Sequence, residues 1–354
     1  MRVGLLIYGN INTISGGYLY DRKLVEFLRK NGDEVTIISL KKTSYFKALI
    51  SNSIPVELKK IQLDILIQDE LVHPSFWCIN FKLKKILKCP IISLVHLFSS
   101  AMPGAPHKKL LYRFFEKRYL KSVDGLILNS EATLDQAGKI LQKKIPSNLI
   151  AVPCGNNFSE IKEMKKNYSS KEFRILFVGN ITQQKGLHVL IKSMYILDNK
   201  NISLSVIGYE DIEPRYLESI KKYIKINGLE SRIKFFGPLE RGALKDKYLE
   251  HDIFVLPSVN EAYGIVFLEA MQFYLPIIGC NLGGAKEIIE ENVNGYLIDP
   301  DDSIRLAELI DSINTNRQLL EQLSKSARQK YSQHPTWDKS FKKIRVFLQK
   351  IMKT

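Results

Sequence analysis

The chain has 354 residues, a length that suggests two domains. Its 45% hydrophobic and 25% charged content excludes a disordered or fibrous protein. No apolar run approaches the roughly 20 residues that cross a bilayer, and MRVGLLIYGN at the start reads as a first buried strand, not a signal peptide.

The net charge of +15 is unevenly placed. Residues 1–165 carry 25 Lys/Arg against 14 Asp/Glu, residues 166–335 carry 21 against 22, and the last 19 carry 6 against 1. A basic field of this kind attracts anionic surfaces or substrates: an anionic lipid, a phosphorylated carrier or nucleic acid. Cys78, Cys89, Cys154 and Cys280 form no CxxC pair, which argues against a metal or redox motif and fits a reducing cytoplasm.

In chain order, VGLLIYG (3–9) is a buried strand, followed by the loop NINTISGG and a helix from about Tyr18 to Lys30. EVTIISL (34–40) is the next strand, which makes a β-α-β unit and predicts a parallel sheet. Further strands are predicted at 64–68, 90–95, 124–129 and 149–152, with helices at 76–87, 107–121 and 131–143. Residues 157–172 are polar and aperiodic and read as a linker. A second alternation follows, with strands at 173–178, 202–207, 233–236, 253–256, 276–279 and 296–298. Its helices are predicted at 186–197, 214–227, 241–249, 265–274, 284–290, 303–313 and 316–332. Beyond Pro335, Phe341, Ile344, Phe347, Leu348 and Ile351 recur at helical spacing. Two successive Rossmann-like halves predict two doubly wound domains facing a cleft.

Several loops at strand ends carry polar residues that ligands use. Gly16 and Gly17 after the first strand serve either a turn or the close approach of backbone amides to a phosphate. His96 ends the strand PIISLV, where a doubly wound sheet faces its ligand; the bland reading is a structural hydrogen bond. His73, His107, His188, His251 and His334 have no comparable placement. In FVGNITQQKG (177–186), Lys185 is either a solvated loop lysine or a counterion for a diphosphate.

Glu261 and Glu269 lie eight positions apart in EAYGIVFLE. Glu269 sits among apolar neighbours and needs a partner, either a local cation or ligand hydroxyls. Glu261 precedes a helix whose first amides, near Gly264, Ile265 and Val266, form an anion site. Asp299 and Asp301 in DPDD superficially resemble a DxD metal motif but read better as first-turn and capping acids. HKKLLYRFFEKRYLK (107–121) mixes five apolar positions with six Lys/Arg, and fits either an anionic membrane surface or a core-facing helix. No nucleic-acid recognition motif is present.

These pieces together resemble the retaining glycosyltransferases of family 4, also called group 1, which have the GT-B fold. The resemblance rests on FVGNITQQKG, on DIFVLPSVNEAYGIVFLEAMQ with its E-x7-E pair, and on LGGAKEIIEENVNGYLIDPDD. Weaker matches are SGG at 15–17, His96, NSE at 129–131 and VPCGNN at 152–157. The resemblance implies an N-terminal acceptor-binding domain over 1–160, a nucleotide-sugar domain over 161–335, and a C-terminal helix, 336–354, that crosses back onto the first domain. It implies that Lys185 contacts the donor diphosphate and that Glu269 holds the ribose. Glu261 and the backbone of Tyr263, Gly264, Ile265 and Val266 then contact sugar and phosphate. His96 is placed at the donor sugar, Gly16 and Gly17 at the phosphates, and the base near Gly208, Gly237 and Pro238. Asn180 stands where the family often has a basic residue, and Leu97 where it often has an acid.

The activity so implied is metal-independent and cofactor-free transfer from a UDP- or GDP-sugar to a hydroxyl of a glycan or lipid-linked acceptor. Such an enzyme is expected in the cytoplasm, with peripheral contact at an anionic inner membrane face. The other readings are a GT-B nucleotide-sugar epimerase and a catalytically idle binding subunit. A nicotinamide dehydrogenase is disfavoured because no GxGxxG follows the first strand.

Overall fold

Short buried strands alternate with helices along the chain, and the strands collect into two wholly parallel sheets. The computed structural model describes every residue except Ile14, Asn52, Pro103, Lys143, Lys144, Glu160, 162–165, Asn167, Ser169 and Thr354. Two compact units result: unit 1 is Met1–Pro153 with Pro335–Thr354, and unit 2 is Cys154–His334.

In unit 1 the strands are β1 (Arg2–Tyr8), β2 (Glu34–Leu40), β3 (Ile65–Asp69), β4 (Ile91–Val95), β5 (Gly125–Leu128) and β6 (Ser147–Ile150). Their order is β2-β1-β3-β4-β5-β6, so the winding reverses between β1 and β3. Every residue of β3, β4 and β5 is buried, as a sheet covered on both faces requires. The helices are α1 (Gly16–Lys30), α2 (Tyr45–Leu49), α3 (Val56–Lys60), α4 (His73–Phe76), α5 (Asn80–Leu87), α6 (Pro106–Leu120) and α7 (Glu131–Leu141).

Unit 2 has β7 (Phe173–Val178), β8 (Ile202–Ile207), β9 (Ile233–Phe235), β10 (Ile253–Leu256), β11 (Ile277–Cys280) and β12 (Gly295–Ile298). The order β12-β11-β10-β7-β8-β9 reverses between β7 and β10. Around it lie α8 (Leu187–Ile196), α9 (Pro214–Ile226), α10 (Arg241–Glu250), α11 (Ile265–Gln272), α12 (Ala285–Ile288), α13 (Ser303–Thr315) and α14 (Arg317–Gln333).

The last helix, α15 (Trp337–Ile351), belongs to unit 1. Phe341, Ile344 and Leu348 are fully buried, and the Phe341 ring meets Tyr20 of α1 at 5.1 Å. At the polar edge of this contact Arg345 Nε donates to Asp33 Oδ2 at 2.7 Å, and the Met1 amino group donates to Asp33 Oδ1 at 2.9 Å.

Three details depart from the sequence reading. The single helix expected over 76–87 is two, α4 and α5, because His73-Pro74 starts a turn early and the chain bends at 77–79 before α5 begins. The five-residue helices α2 and α3 are too short to show a period. The strand expected at 149–152 pairs instead over Ser147–Ile150, and the Ala151 carbonyl accepts a hydrogen bond from Tyr20 at 2.8 Å. Part of the expected linker lies outside the described residues, as do the last residue of the expected helix 131–143 and its neighbour Lys144.

Candidate active site

The reversal between β7 and β10 is where a doubly wound sheet opens to a ligand. The two strands pair only at Ile175 with Ile253 and at Leu176 with Phe254, although they run on to Val178 and Leu256. Their carboxyl ends therefore part. From the β7 side the chain turns through Gly179, Asn180 and a 3-10 turn, Gln183–Lys185. From the β10 side comes the loop that holds Glu261. Lys185 Nζ and a Glu261 carboxylate oxygen meet there as an ion pair, with 24% and 10% of their side chains exposed. Gln184 clamps the two loops together: its Nε2 donates to the Asn260 carbonyl at 2.8 Å, and its own carbonyl accepts from Val259 at 3.0 Å.

Gly264, with φ of 98°, turns the chain into α11, whose first-turn residues are Ile265 and Val266. Helix geometry leaves amides in this turn without an intrahelical acceptor. Glu269 lies one turn further on and is buried. Neutral donors hold it: Asn157 Nδ2 reaches one oxygen at 2.7 Å and the Tyr248 hydroxyl reaches the other at 3.2 Å. Burial raises its pKa, and these hydrogen bonds offset only part of that rise. Among the described residues no Lys or Arg forms an ion pair with Glu269, and Arg241 acts on it only through its charge. Two neutral donors still leave the carboxylate with acceptor capacity.

The glycine loop after β11 has a structural task. Gly283, with φ of 66°, lies so close to the Glu261 backbone that a Cβ would stand 2.3 Å from its carbonyl oxygen. The Gly284 amide donates to that same oxygen at 2.8 Å. Among the other predicted positions, Gly208 N donates to the Gly237 carbonyl at 3.0 Å, which puts the ends of β8 and β9 side by side next to Pro238. Tyr263 turns its hydroxyl to His334 Nε2 at 2.6 Å, so its side chain is engaged within unit 2. In DPDD, Asp302 is the cap of α13, accepting from Arg305 N at 2.9 Å. Asp299 accepts from Asn281, and Asp301 meets His188 at 3.0 Å.

In unit 1 the reversal between β1 and β3 also gathers polar groups. Ser15 caps α1, and Gly16 and Gly17 form its first turn. His96, just after β4, hydrogen-bonds Asp21 of α1 through Nε2 at 2.9 Å. Asp69, at the end of β3, lies with them. Burial, with the Asp21 charge added, pushes the Asp69 carboxyl up to about 7. For His96 burial acts downward, but Asp21 and Asp69 outweigh it and the imidazole pKa rises.

A second buried group, Glu70, His73 and Glu116, lies next along the chain. Burial and then Glu70 push Glu116 up to about 7. The ligand atoms in each group lie within 4.8 Å of one another. Distance alone would admit a cation, but hydrogen bonds already occupy Nε2 of His96 through Asp21, and both His73 nitrogens through the Glu70 carbonyl and the Tyr45 hydroxyl.

The sequence reading missed Asp21, Asp69, Asn157 and Tyr248. Asp21 left a trace, because it interrupts the buried stripe of Leu24, Val25 and Leu28 on α1. Asn157 lies in VPCGNN. Asp69 and Tyr248 carry no local sign. Beside the Lys185 turn, unit 2 also has an open depression of about 850 Å³ lined by Gln183, His188, Glu213, Arg215 and Tyr216.

Residues 158–330 match the family described as glycosyl transferases group 1. An uncharacterized glycosyltransferase of Methanocaldococcus jannaschii is 26% identical over 96% of this chain and 95% of its own length. The O-antigen chain mannosyltransferase C of Escherichia coli is 25% identical, and 70% of each chain is covered. The chain spans 63% of the length of a further relative. The crystal structure of Anabaena HepE in complex with UDP-glucose is 17% identical, covers 99% of this chain and 100% of its own, and superposes with a TM-score of 0.78. That last likeness is one of fold, and the fold is GT-B. Over residues 158–330 the chain is similar to the glycosyl transferases group 1, and relatives that it matches along most of its length are named glycosyltransferases.

Proposed function

We propose that the chain is a retaining, metal-independent transferase that moves a sugar from a UDP- or GDP-sugar to an acceptor hydroxyl. The observation that carries this is the Lys185–Glu261 pair at the parting of β7 and β10, its glutamate on the loop that leads into α11 and Glu269. A donor diphosphate entering there would take Lys185 from Glu261. The ammonium and the first amides of α11 would then balance the charge of the leaving group without a metal ion. Glu261, released, would accept from a sugar hydroxyl, and Glu269 from the ribose. The same reading gives the base to Gly208, Gly237 and Pro238, and leaves Asn180 as a neutral neighbour of the phosphates. In unit 1 it gives His96 the sugar, and Gly16 and Gly17 the phosphates.

Thermal-shift titration with UDP, UDP-glucose, GDP and GDP-mannose tests the reading, because a specific ligand stabilises the folded state. We expect one nucleotide series to raise Tm, and transfer to persist in EDTA. No shift with any of the four would overturn it.

We further propose that unit 1 takes a lipid-linked or surface-polysaccharide precursor at a membrane face in the cytoplasm. The relative in Escherichia coli is named an O-antigen chain mannosyltransferase. On α6, Leu110 and Phe114 are 69% and 50% exposed, and Arg118 covers the Phe114 ring at 4.8 Å. Phe81 and Ile86 on α5 are exposed too, among Lys82, Lys84 and Lys85. Apolar groups ringed by lysine and arginine suit an anionic lipid surface. No helix of the described residues is long and apolar enough to cross a membrane. In vesicle co-sedimentation the protein should bind anionic vesicles, and added salt should release it. Equal partition onto neutral and anionic vesicles at every salt concentration would refute this.

A further inference from the structure

Asp21 is fully buried, yet among the described residues no Lys or Arg is its hydrogen-bond or ion-pair partner. One of its oxygens, Oδ1, accepts from His96 Nε2 at 2.9 Å, and the other has no hydrogen-bond partner. A buried carboxylate so poorly satisfied is costly. A purely structural bond to an imidazole would be served by an amide at lower cost.

The rest of the His96 environment fixes the ring. Asn129 Nδ2 donates to the His96 carbonyl at 2.9 Å. Tyr20 packs edge-on at 5.2 Å between ring centroids. A Cβ on Gly17 would stand 3.2 Å from His96 Cδ2, so the glycine leaves the ring its space. The imidazole is held by its backbone, a flank and Nε2. Among the described residues Nδ1 has no hydrogen-bond partner, and 13% of the side chain is exposed.

We propose that Asp21 is the positioning residue of His96: it grips Nε2 and leaves Nδ1–H as the donor that unit 1 offers to a hydroxyl of the donor sugar. The proposal rests on the nucleotide-sugar reading above. The charged groups that face His96 are all acids: Asp21 from α1, Asp69 from the end of β3 and Glu70 from the turn that follows. Burial disfavours the imidazolium, but the carboxylates more than compensate. The cationic ring carries a proton on both nitrogens, so Nδ1 donates. It loses that ability as pH rises through its raised pKa.

The test uses Asp21→Asn in the full chain, with two readouts. One is the His96 imidazole titration by NMR. The other is calorimetric affinity for UDP against UDP-glucose, and for GDP against GDP-mannose, from about pH 6 to about pH 9. In the wild type the sugar-bearing ligand should bind more tightly than the bare nucleotide, and this increment should fade with rising pH. Asp21→Asn should lower the His96 pKa. It should shrink the sugar increment by about tenfold and leave bare-nucleotide affinity within about twofold. His96→Gln should remove the increment and its pH dependence. This second variant decides the matter if Asp21→Asn does not fold: an increment in His96→Gln that keeps the wild-type pH dependence overturns the proposal. An unmoved His96 pKa in Asp21→Asn overturns it too, as does an unchanged sugar increment. A wild type that binds none of the four ligands overturns the donor reading instead, and the NMR titration still judges the Asp21–His96 pair.

Discussion

Lys185 and Glu261 serve as each other's counterion. Removing one member of such a pair therefore acts on the other. Lys185→Ala deletes the proposed diphosphate contact and leaves Glu261 unpaired next to the incoming phosphate. It should abolish transfer, at about 3–4 kcal/mol of transition-state stabilisation, and weaken nucleotide binding. Glu261→Gln should differ. It frees the lysine, so UDP or GDP affinity should hold or improve while transfer falls by at least about tenfold. Calorimetry and turnover on the two variants check this, and equal losses of nucleotide affinity in both would refute the counterion account.

Glu269 makes a second case. Burial raises its pKa, so above the unfolded value of about 4.3 the ionised form costs folding free energy, a cost that grows until pH reaches the folded pKa. Gln removes that charge, and the Tyr248 hydroxyl can turn to accept from the new amide. Glu269→Gln should therefore keep or raise Tm at neutral pH while it loses donor affinity. A residue that lowers stability and serves binding shows this opposition. A lowered Tm with normal affinity would make Glu269 a packing residue only.

At the scale of elements, the site is made by loops that lean on one another's backbones. The β11–α12 loop approaches Glu261 so closely that Gly283→Ala puts a methyl 2.3 Å from a carbonyl oxygen at a φ of 66°. One loop must move. The expected cost is about 1–3 kcal/mol of stability, with a loss of nucleotide affinity that Gly242→Ala, facing open space, should not show. Denaturant melts and thermal shift on both variants compare them.

The strands that carry these loops were legible because they are short apolar runs cut by Gly, Pro and Asn. Ile202–Ile207 and Ile253–Leu256 coincide with the expected runs. The E-x7-E segment likewise put one acid in the loop before a helix and the other on that helix, as α11 and the loop before it have them. Harder to read was who meets whom. Glu269 finds Asn157 and Tyr248, and His96 finds Asp21, across distances in sequence where no period links them. Short helices fail for a related reason: α2 has one buried residue, so no stripe exists to be seen.

At the scale of the whole molecule, unit 1 is stitched from two stretches of chain. Asp33 is the fastening point, bonded to Arg345 of α15 and to the Met1 amino group. Burial pushes its pKa upward, but the Arg345 hydrogen bond and the amino group outweigh this and the net shift is downward. Its contribution is therefore present above the unfolded value of about 3.9 and is lost as pH falls through the lower folded value. Asp33→Asn should cost about 2 kcal/mol at neutral pH, between the exposed and buried limits for ion pairs. Melts of wild type and variant should converge once pH lies below that folded value. A constant gap across that range would mean that packing, not charge, holds α15.

The same stitching bears on how the protein comes into being. A chain emerging from the ribosome releases residues 1–153 early, but the helix that covers Tyr20 and Phe27 arrives only with Phe341. Unit 2 lies in one unbroken stretch and can close first. Until the final helix docks, the nascent first unit shows an aromatic face to solvent, the kind of surface that chaperones hold. Release of a ribosome stalled just after His334 should therefore yield a folded second unit and an aggregation-prone first one.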